Sequence, residues 1–429
     1  MTWAIGHSNA VANIDEKLES EGIMEQKEQQ LQETFVRQME DWSKTGTIPE
    51  IAGMDMQYAF ELQKKRLMTK HVQLQYHFTP NELGGMAMHS EVSINGFTNR
   101  VSFREYQVQT DYLVDGVHKY RRNCSEIMYA NVTDLVHPNM VTTATCPNCG
   151  AISHVQEFIK GCPSCGTRFS ITDFYPKVTQ FYTIDNTGIN QKEVKSKATK
   201  YILSGVAISV LIALLSCIFT GEWYYIIGVL PGAFFGAIFG YFVYAIGLLF
   251  KVIGKAVASV PLVVGNMSAE PGMKGFMKRY QPDFSFQFFA AKMLNLLRIM
   301  IYSDEYDNLA VYEGAPLTNT FRDIIDVKYR GGLSLSRIYM EGEDCHVELG
   351  VYVTVTYCNS RGIRERNETY KLHVFKNISK PDDFGFSIRE YECRNCGASF
   401  DAAKERHCPY CGSNYHMKEN DWMVLELKR

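Results

Sequence analysis

The sequence predicts an α+β protein built as two modules with a two-helix hairpin between them, long and apolar enough to cross a membrane. Three observations carry that reading. Two uncharged apolar runs lie mid-chain, four CxxC motifs are grouped two and two on either side of them, and strand-like alternation precedes each CxxC group. At 429 residues the chain can hold two or three domains, each with a sizeable core. A net charge of −3 gives no general electrostatic ground for a nucleic-acid or acidic-lipid binder.

Residues 1–26 read as a tail. No Lys or Arg precedes Lys17 and no continuous apolar run comes before the polar stretch starts, so the segment lacks the pattern of a secretory signal. The first module is expected over 27–185. It opens on Leu31, Phe35, Met39 and Trp42, an apolar stripe at helical spacing, and a second helix is expected near Met56 to Lys70. Strands follow, broken at Asn95-Gly96 and Asp115-Gly116, with a closing strand around Phe174 to Ile184.

Before that closing strand stand CPNCG at Cys146 to Gly150 and CPSCG at Cys162 to Gly166. The second module repeats the arrangement with CRNCG at Cys393 to Gly397 and CPYCG at Cys408 to Gly412. A CxxC loop turns two thiolates to one side, and the following Gly accepts the positive φ that the turn requires. Two such knuckles close one tetrahedral site, so Cys146, Cys149, Cys162 and Cys165 form one candidate ligand set and Cys393, Cys396, Cys408 and Cys411 a second. Twelve and eleven residues between the paired knuckles make each a short ribbon (146–166 and 393–412). The expected cofactors are two structural Zn²⁺, since four thiolates leave no open coordination position; iron in a rubredoxin-like site is a chemical alternative. His154, His407 and His416 lie near complete sets and read as bystanders, and Cys124, Cys217, Cys345 and Cys358 as small apolar residues.

Residues 186–200 form a basic linker with Lys192, Lys195, Lys197 and Lys200. The hairpin occupies 201–250, with spans at 201–219 and 223–250. Eleven Ile, Leu, Val and Phe residues in the first span favour insertion by a few tenths of a kcal/mol each, about 0.3 to 0.6 on the insertion scale. Thr220, Gly221 and Glu222 make the turn, with Trp223, Tyr224 and Tyr225 suited to the interface. Basic residues flank the hairpin outside, Lys251 and Lys255 included, and none occupies its tip. The positive-inside rule then places both termini in the cytoplasm, as in an integral protein of the cell membrane, where thiols stay reduced. No Asp, Glu, Lys or Arg lies within the spans, which argues against an ion path. Gly232, Gly236 and Gly240 place three flat patches on one helix face. That face suits either a homo-oligomer contact or close packing against the first span. Residues 251–282 read as an interfacial linker: after Lys251 the stretch VIGKAVASVPLVVG is apolar but short and interrupted by Lys255 and Pro261, and it lies at the interface or leads back to the second module.

The second module, 283–429, begins with Phe289, Met293, Leu296 or Leu297, and Met300 at helical spacing, and a second helix is expected near Leu317 to Tyr329. Val347, Leu349, Val351, Val353, Val355 and Tyr357 then alternate as a strand. A turn falls at Asn359 to Gly362, Tyr370, Leu372 and Val374 continue the alternation, and a last strand lies around Trp422 to Leu427. The order helix, helix, sheet, ribbon, strand occurs twice, an internal repeat.

In PDFSFQFFAAKMLNLLRIMIYSDEYDNL, residues Phe286, Phe289, Ala291, Lys292 and Ile299 sit as in the first helix of the Tim-44-like domain. The closing strand DWMVLEL matches that family too. The second module therefore resembles the family, a member of the cone-shaped folds named after nuclear transport factor 2, over Asp283 to Lys428. It departs in lacking a Trp near Ile301 and in carrying a ribbon. The first module resembles the family through its parallel with the second. The resemblance implies two Tim-44-like cones, peripheral membrane association, a concave apolar pocket and, in mitochondria, a scaffold for the preprotein import motor. Phe289, Met293 and Met300 would line such a pocket or, alternatively, fill a closed core.

The expected function is a non-enzymatic membrane scaffold or adaptor that offers its modules to an unidentified protein partner or to lipid. The chain has no P-loop, HExxH, GxSxG or dinucleotide fingerprint, which weakens the alternative of an enzyme with a cone-pocket active site. Ribbon-mediated nucleic-acid binding is the third reading. Arg394, Lys404, Arg406 and Tyr410 favour it, and Glu392, Asp401 and Glu405 oppose it.

Overall fold

The computed structural model describes residues 29–81, 92–94, 97–135, 143–146, 149–154, 157, 161–166, 177–185, 191–221, 227, 229–282, 284–317, 321–379, 391–393, 395–401, 404–414 and 421–429. They form two compact units, one of 1–185 with 264–429 and one of 186–263. The expected tail, 1–26, lies outside the described residues.

The larger unit is α+β with two antiparallel sheets. Helices α1 (29–45) and α2 (Met54–Thr69) precede the first sheet, whose strands β1 (Val72–Pro80), β3 (Phe97–Val114), β4 (Val117–Leu135) and β7 (Lys177–Asp185) pair in that order, with β2 (Val92–Ile94) beside β3. The second sheet runs β8 (Ile324–Glu341), β9 (Asp344–Asn359), β10 (Gly362–Asn377) and β13 (Met423–Lys428). In each sheet three strands form a meander, the ribbon hairpin follows (β5, Thr143–Thr145, with β6, Ile152–His154; β11, Tyr391–Glu392, with β12, Ser399–Phe400), and the last strand returns beside the third. The internal repeat therefore holds in strand order.

Local chemistry explains the turns. Asp115 and Gly116 both adopt positive φ (50° and 75°), the geometry of the tight turn that matches strand twist. At the β9–β10 turn Gly362 takes φ 94°, and the Asn359 side chain accepts a hydrogen bond from the Arg361 N–H at 3.0 Å. Val347, Leu349, Val351, Val353 and Val355 on β9, and Tyr370, Leu372 and Val374 on β10, are buried as the alternation requires.

The smaller unit holds α3 (Gln191–Thr220) and most of α4 (Val229–Met277), so the expected basic linker is helical from Gln191. The interfacial linker expected over 251–282 is instead continuous helix to Met277. Its last turns, counted with the larger unit, bury Ala269, Met273 and Met277 in the core of the second sheet. In the sequence Lys255 and Pro261 are the sole interruptions between Val252 and Gly265, too sparse to end the helix.

The second helix expected near Leu317 to Tyr329 is also corrected. Residues 318–320 lie outside the described set, and from Ile324 the chain is strand β8, with Ile324, Ile325, Val327 and Tyr329 buried. β-branched residues favour the pleated surface over a helix. The helix pair of the second module is thus the end of α4 with α5 (Phe286–Tyr302). The α5 helix starts at Ser285, whose hydroxyl accepts from the Phe288 N–H.

With that pairing α2 and α5 become equivalents. Ala59, Leu62, Gln63, Arg66, Leu67 and Met68 match Ala291, Leu294, Asn295, Arg298, Ile299 and Met300 at one constant offset. Both helices lie at the junction of the two sheets, and each reaches into the other half. Gln63 donates to Ile325 O and Asp326 Oδ1 (3.0 and 3.1 Å), while Asn295 and Arg298 donate to Thr179 O and Phe181 O on the edge of β7 (3.2 and 3.3 Å). The modules therefore fold as one body.

Candidate metal centres

Each knuckle is built the same way. After the second cysteine a glycine sits at φ 72–74° (Gly150, Gly166, Gly397 and Gly412). Its N–H donates to the carbonyl of the first cysteine: Gly150 to Cys146, Gly166 to Cys162, Gly397 to Cys393 and Gly412 to Cys408, at 2.7 to 2.9 Å. A Cβ at that φ is strained, so glycine is what lets the loop close and turn both sulfurs inward. The first cysteine N–H is in turn satisfied by Ala151 O, Ala398 O or Ser413 O in three of the four knuckles.

The turns bring Cys146, Cys149, Cys162 and Cys165 together, and likewise Cys393, Cys396, Cys408 and Cys411, each set with its ligand atoms within 4.8 Å of one another. Across the knuckles the sulfurs are 3.7 Å (Cys146–Cys165), 3.6 Å (Cys149–Cys162), 3.5 Å (Cys393–Cys411) and 3.7 Å (Cys396–Cys408) apart. A metal–sulfur bond of about 2.3 Å sets a tetrahedral sulfur–sulfur edge of roughly 3.8 Å. The spacing fits that edge and is far from the roughly 2 Å of a disulfide; all twelve cysteines are free. Each four-cysteine cluster could hold a metal ion such as zinc.

The electrostatics of the second centre suit a cation. The Ser413 hydroxyl, 3.1 Å from Cys411 Sγ, and the Ser413 backbone hold the Cys411 thiol down to about 6. The Asn395 and Cys396 N–H groups lower Cys393. At Cys396 the Ala398 N–H acts downward, but desolvation and the neighbouring Cys411 and Cys408 outweigh it and push that thiol up to about 12. Four crowded sulfurs thus resist complete ionisation until a cation neutralises them.

Two of the three histidines expected as bystanders lie among the described residues. His407 is engaged by Asn308, whose Oδ1 lies 3.0 Å from its Nδ1, and His154 is exposed on β6; His416 lies outside the described residues. Cys124, Cys217, Cys345 and Cys358 belong to neither cluster.

In the helical unit, α3 and α4 contain two stretches, Lys197–Thr220 and Val229–Gly247, long and apolar enough to cross a membrane. Leu203, Ile212, Phe219, Phe234, Phe239 and Phe242 point outward. Trp223, Tyr224 and Tyr225 lie outside the described residues. Two of the three glycines expected on one face are used within the hairpin. A Cβ on Gly236 would meet Gly205 O at 2.5 Å and the Ser209 side chain, and one on Gly240 would meet Tyr201 O, whereas Gly232 faces open space.

Phe289, Met293 and Met300 are buried in the apolar core of the second sheet. A cavity of about 30 Å³, room for a few waters, lies instead between the sheets among Gln63, Tyr76, Glu126, Arg298, Asp326 and Lys328. This junction was not legible in the sequence, because its polar and charged residues come from five separate elements. Inside it Tyr112 and Tyr76 donate to Asp326 Oδ2 (3.1 and 3.4 Å), and Glu126 faces Arg122 at 3.2 Å and Lys328 at 3.9 Å. Compared with protein-family models, curated proteins and solved structures, the chain matches none.

Proposed function

We propose that the chain is an integral membrane protein whose two four-cysteine centres hold structural Zn²⁺, and that it works as a scaffold presenting one fused α+β body to a protein partner at the cytoplasmic face. The observation that carries this reading is the pair of closed sulfur sets. With four thiolates and no open coordination position, a metal there holds a fold together and activates no water.

The outward-facing apolar helices support a bilayer around α3 and α4. The lysines that flank them at both outer ends support a cytoplasmic body. With Gly236 and Gly240 packed on the first span, Gly232 is the part of the glycine face left for contact with another copy or with lipid. A cavity of about 30 Å³ is too small for a lipid tail, which favours recognition by surfaces.

The Tim-44-like reading of the second module is kept within this proposal. Phe286 to Ile299 lie on one helix packed over a four-stranded antiparallel sheet, with DWMVLEL as its closing strand. Crosslinking in native membranes, with the bound protein identified, tests the scaffold reading. A reproducible protein partner lost on disrupting the α+β body supports it, and turnover of a small molecule by the purified chain contradicts it.

A further inference from the structure

Among the described residues the two ribbons are used differently. In the first, the hydrogen bonds of Cys146 with Ala151, Gly166 with Cys162 and Ser153 with Glu157 run within the ribbon. In the second, the segment between the knuckles is stitched to the body. Ala310 N–H donates to Lys404 O (3.2 Å), Arg406 N–H to Asn308 O (2.9 Å) and His407 N–H to Asn308 Oδ1 (2.8 Å). Arg406 also lies 3.8 Å from the Glu313 carboxylate and donates to Tyr312 O.

The same segment crosses to the other module. Lys404 Nζ pairs with Glu61 on α2 at 2.5 Å and sits 5.3 Å from the centre of the Tyr58 ring, also on α2. Cys396 and Cys408 bracket this segment, so the sulfurs that would hold the ion also fix the positions of Lys404 and Arg406.

We propose that the metal at Cys393, Cys396, Cys408 and Cys411 clasps the two modules together, so that its loss loosens α2 and the loop carrying Asn308 while loss of the first metal does not. This rests on the zinc reading above. Binding and clasping are linked, and linkage is reciprocal: whatever weakens the clasp must also weaken the hold on the metal. Lys404 is the handle, because it joins the ribbon to α2 without touching a sulfur ligand.

The test uses the full-length chain in detergent, with hydrogen exchange read by mass spectrometry and zinc counted in the same samples. In C396S/C411S the proposal expects one zinc lost and protection lost selectively over Tyr58–Leu62 and Asp307–Glu313; in C149S/C165S one zinc is lost with those segments unchanged. K404A keeps both metals and releases the second-centre ion to a chelator about two- to five-fold faster, the range of one partly exposed ion pair. Equal loss of protection in both cysteine variants, or none in either, overturns the clasp. If C396S/C411S unfolds throughout, K404A decides alone, and an unchanged release rate overturns the proposal. Wild-type protein that carries no zinc contradicts the metal reading itself, an outcome distinct from failure of the clasp.

Discussion

The guanidinium of Arg66 on α2 pairs with Asp304 of the second module at 3.0 Å, and around that pair it caps the end of α5 by donating to the Ile301, Tyr302 and Ser303 carbonyls. It also donates to Phe321 O and Ile324 O, at 2.6 and 3.1 Å, on the way into β8. One nearly inaccessible side chain from the first module thereby satisfies the helix terminus and strand entry of the second. Removing it strands carbonyls that have no access to water. R66M should therefore lower the stability of the whole body by about 3 to 5 kcal/mol. R66K should rescue little, since a point charge cannot replace the planar fork. Chemical denaturation followed by tryptophan fluorescence measures both, and a loss confined to one module would show that the modules fold separately.

Within the helical unit, the glycines differ in what a side chain would meet. G236L should force α3 and α4 apart, because its Cβ alone would contact Gly205 O and Ser209, whereas G232L should be tolerated. Disulfide trapping between cysteines introduced on facing turns reads the separation. Equal trapping in G236L and wild type would contradict the packing assigned to this face.

Glu126 carries the pH dependence of the junction. Burial acts to raise its pKa, but the Lys328 and Arg122 charges outweigh it, and the carboxyl is held below the usual carboxylate range. A depressed folded-state pKa means that the stability is present above the unfolded value, about 4.3, and is lost as pH falls through the folded value. The body should weaken on acidification below about pH 4. In E126Q that acid limb should be shallower, starting from a neutral-pH stability lower by about 1 to 3 kcal/mol, because the half-buried Lys328 loses the Glu126 charge while Arg122 keeps Glu365 at 3.8 Å. Urea midpoints across pH 3 to 7 give the slope, and an acid limb of unchanged slope in E126Q would place the titration elsewhere.

Much of the fold was readable because its signals are local. The β9 alternation from Val347 to Val355, the Asp115-Gly116 turn and the CxxC-Gly knuckles each fix structure within a few residues. The helix pairing of the second module was not readable from apolar stripes. Residues such as Ile324 and Val327 fit helical spacing yet are claimed by pairing with β9, a contact remote in sequence. A comparison of polar positions would have helped: Gln63 and Arg66 align with Asn295 and Arg298, and these residues reach across the junction. The residues beside the cavity were hidden for a related reason. Glu126 looks like a solvated strand residue, and Lys328 like part of a helix, until the two sheets meet.

The central claim is that two closed tetrahedral sulfur sites hold structural zinc. X-ray absorption at the zinc edge, with metal quantified per chain on protein purified without added metal, tests it most directly. The account predicts two zinc ions per chain, each with four sulfur neighbours at about 2.3 Å. A ratio near one, iron in place of zinc, or a shell containing nitrogen or oxygen would contradict it.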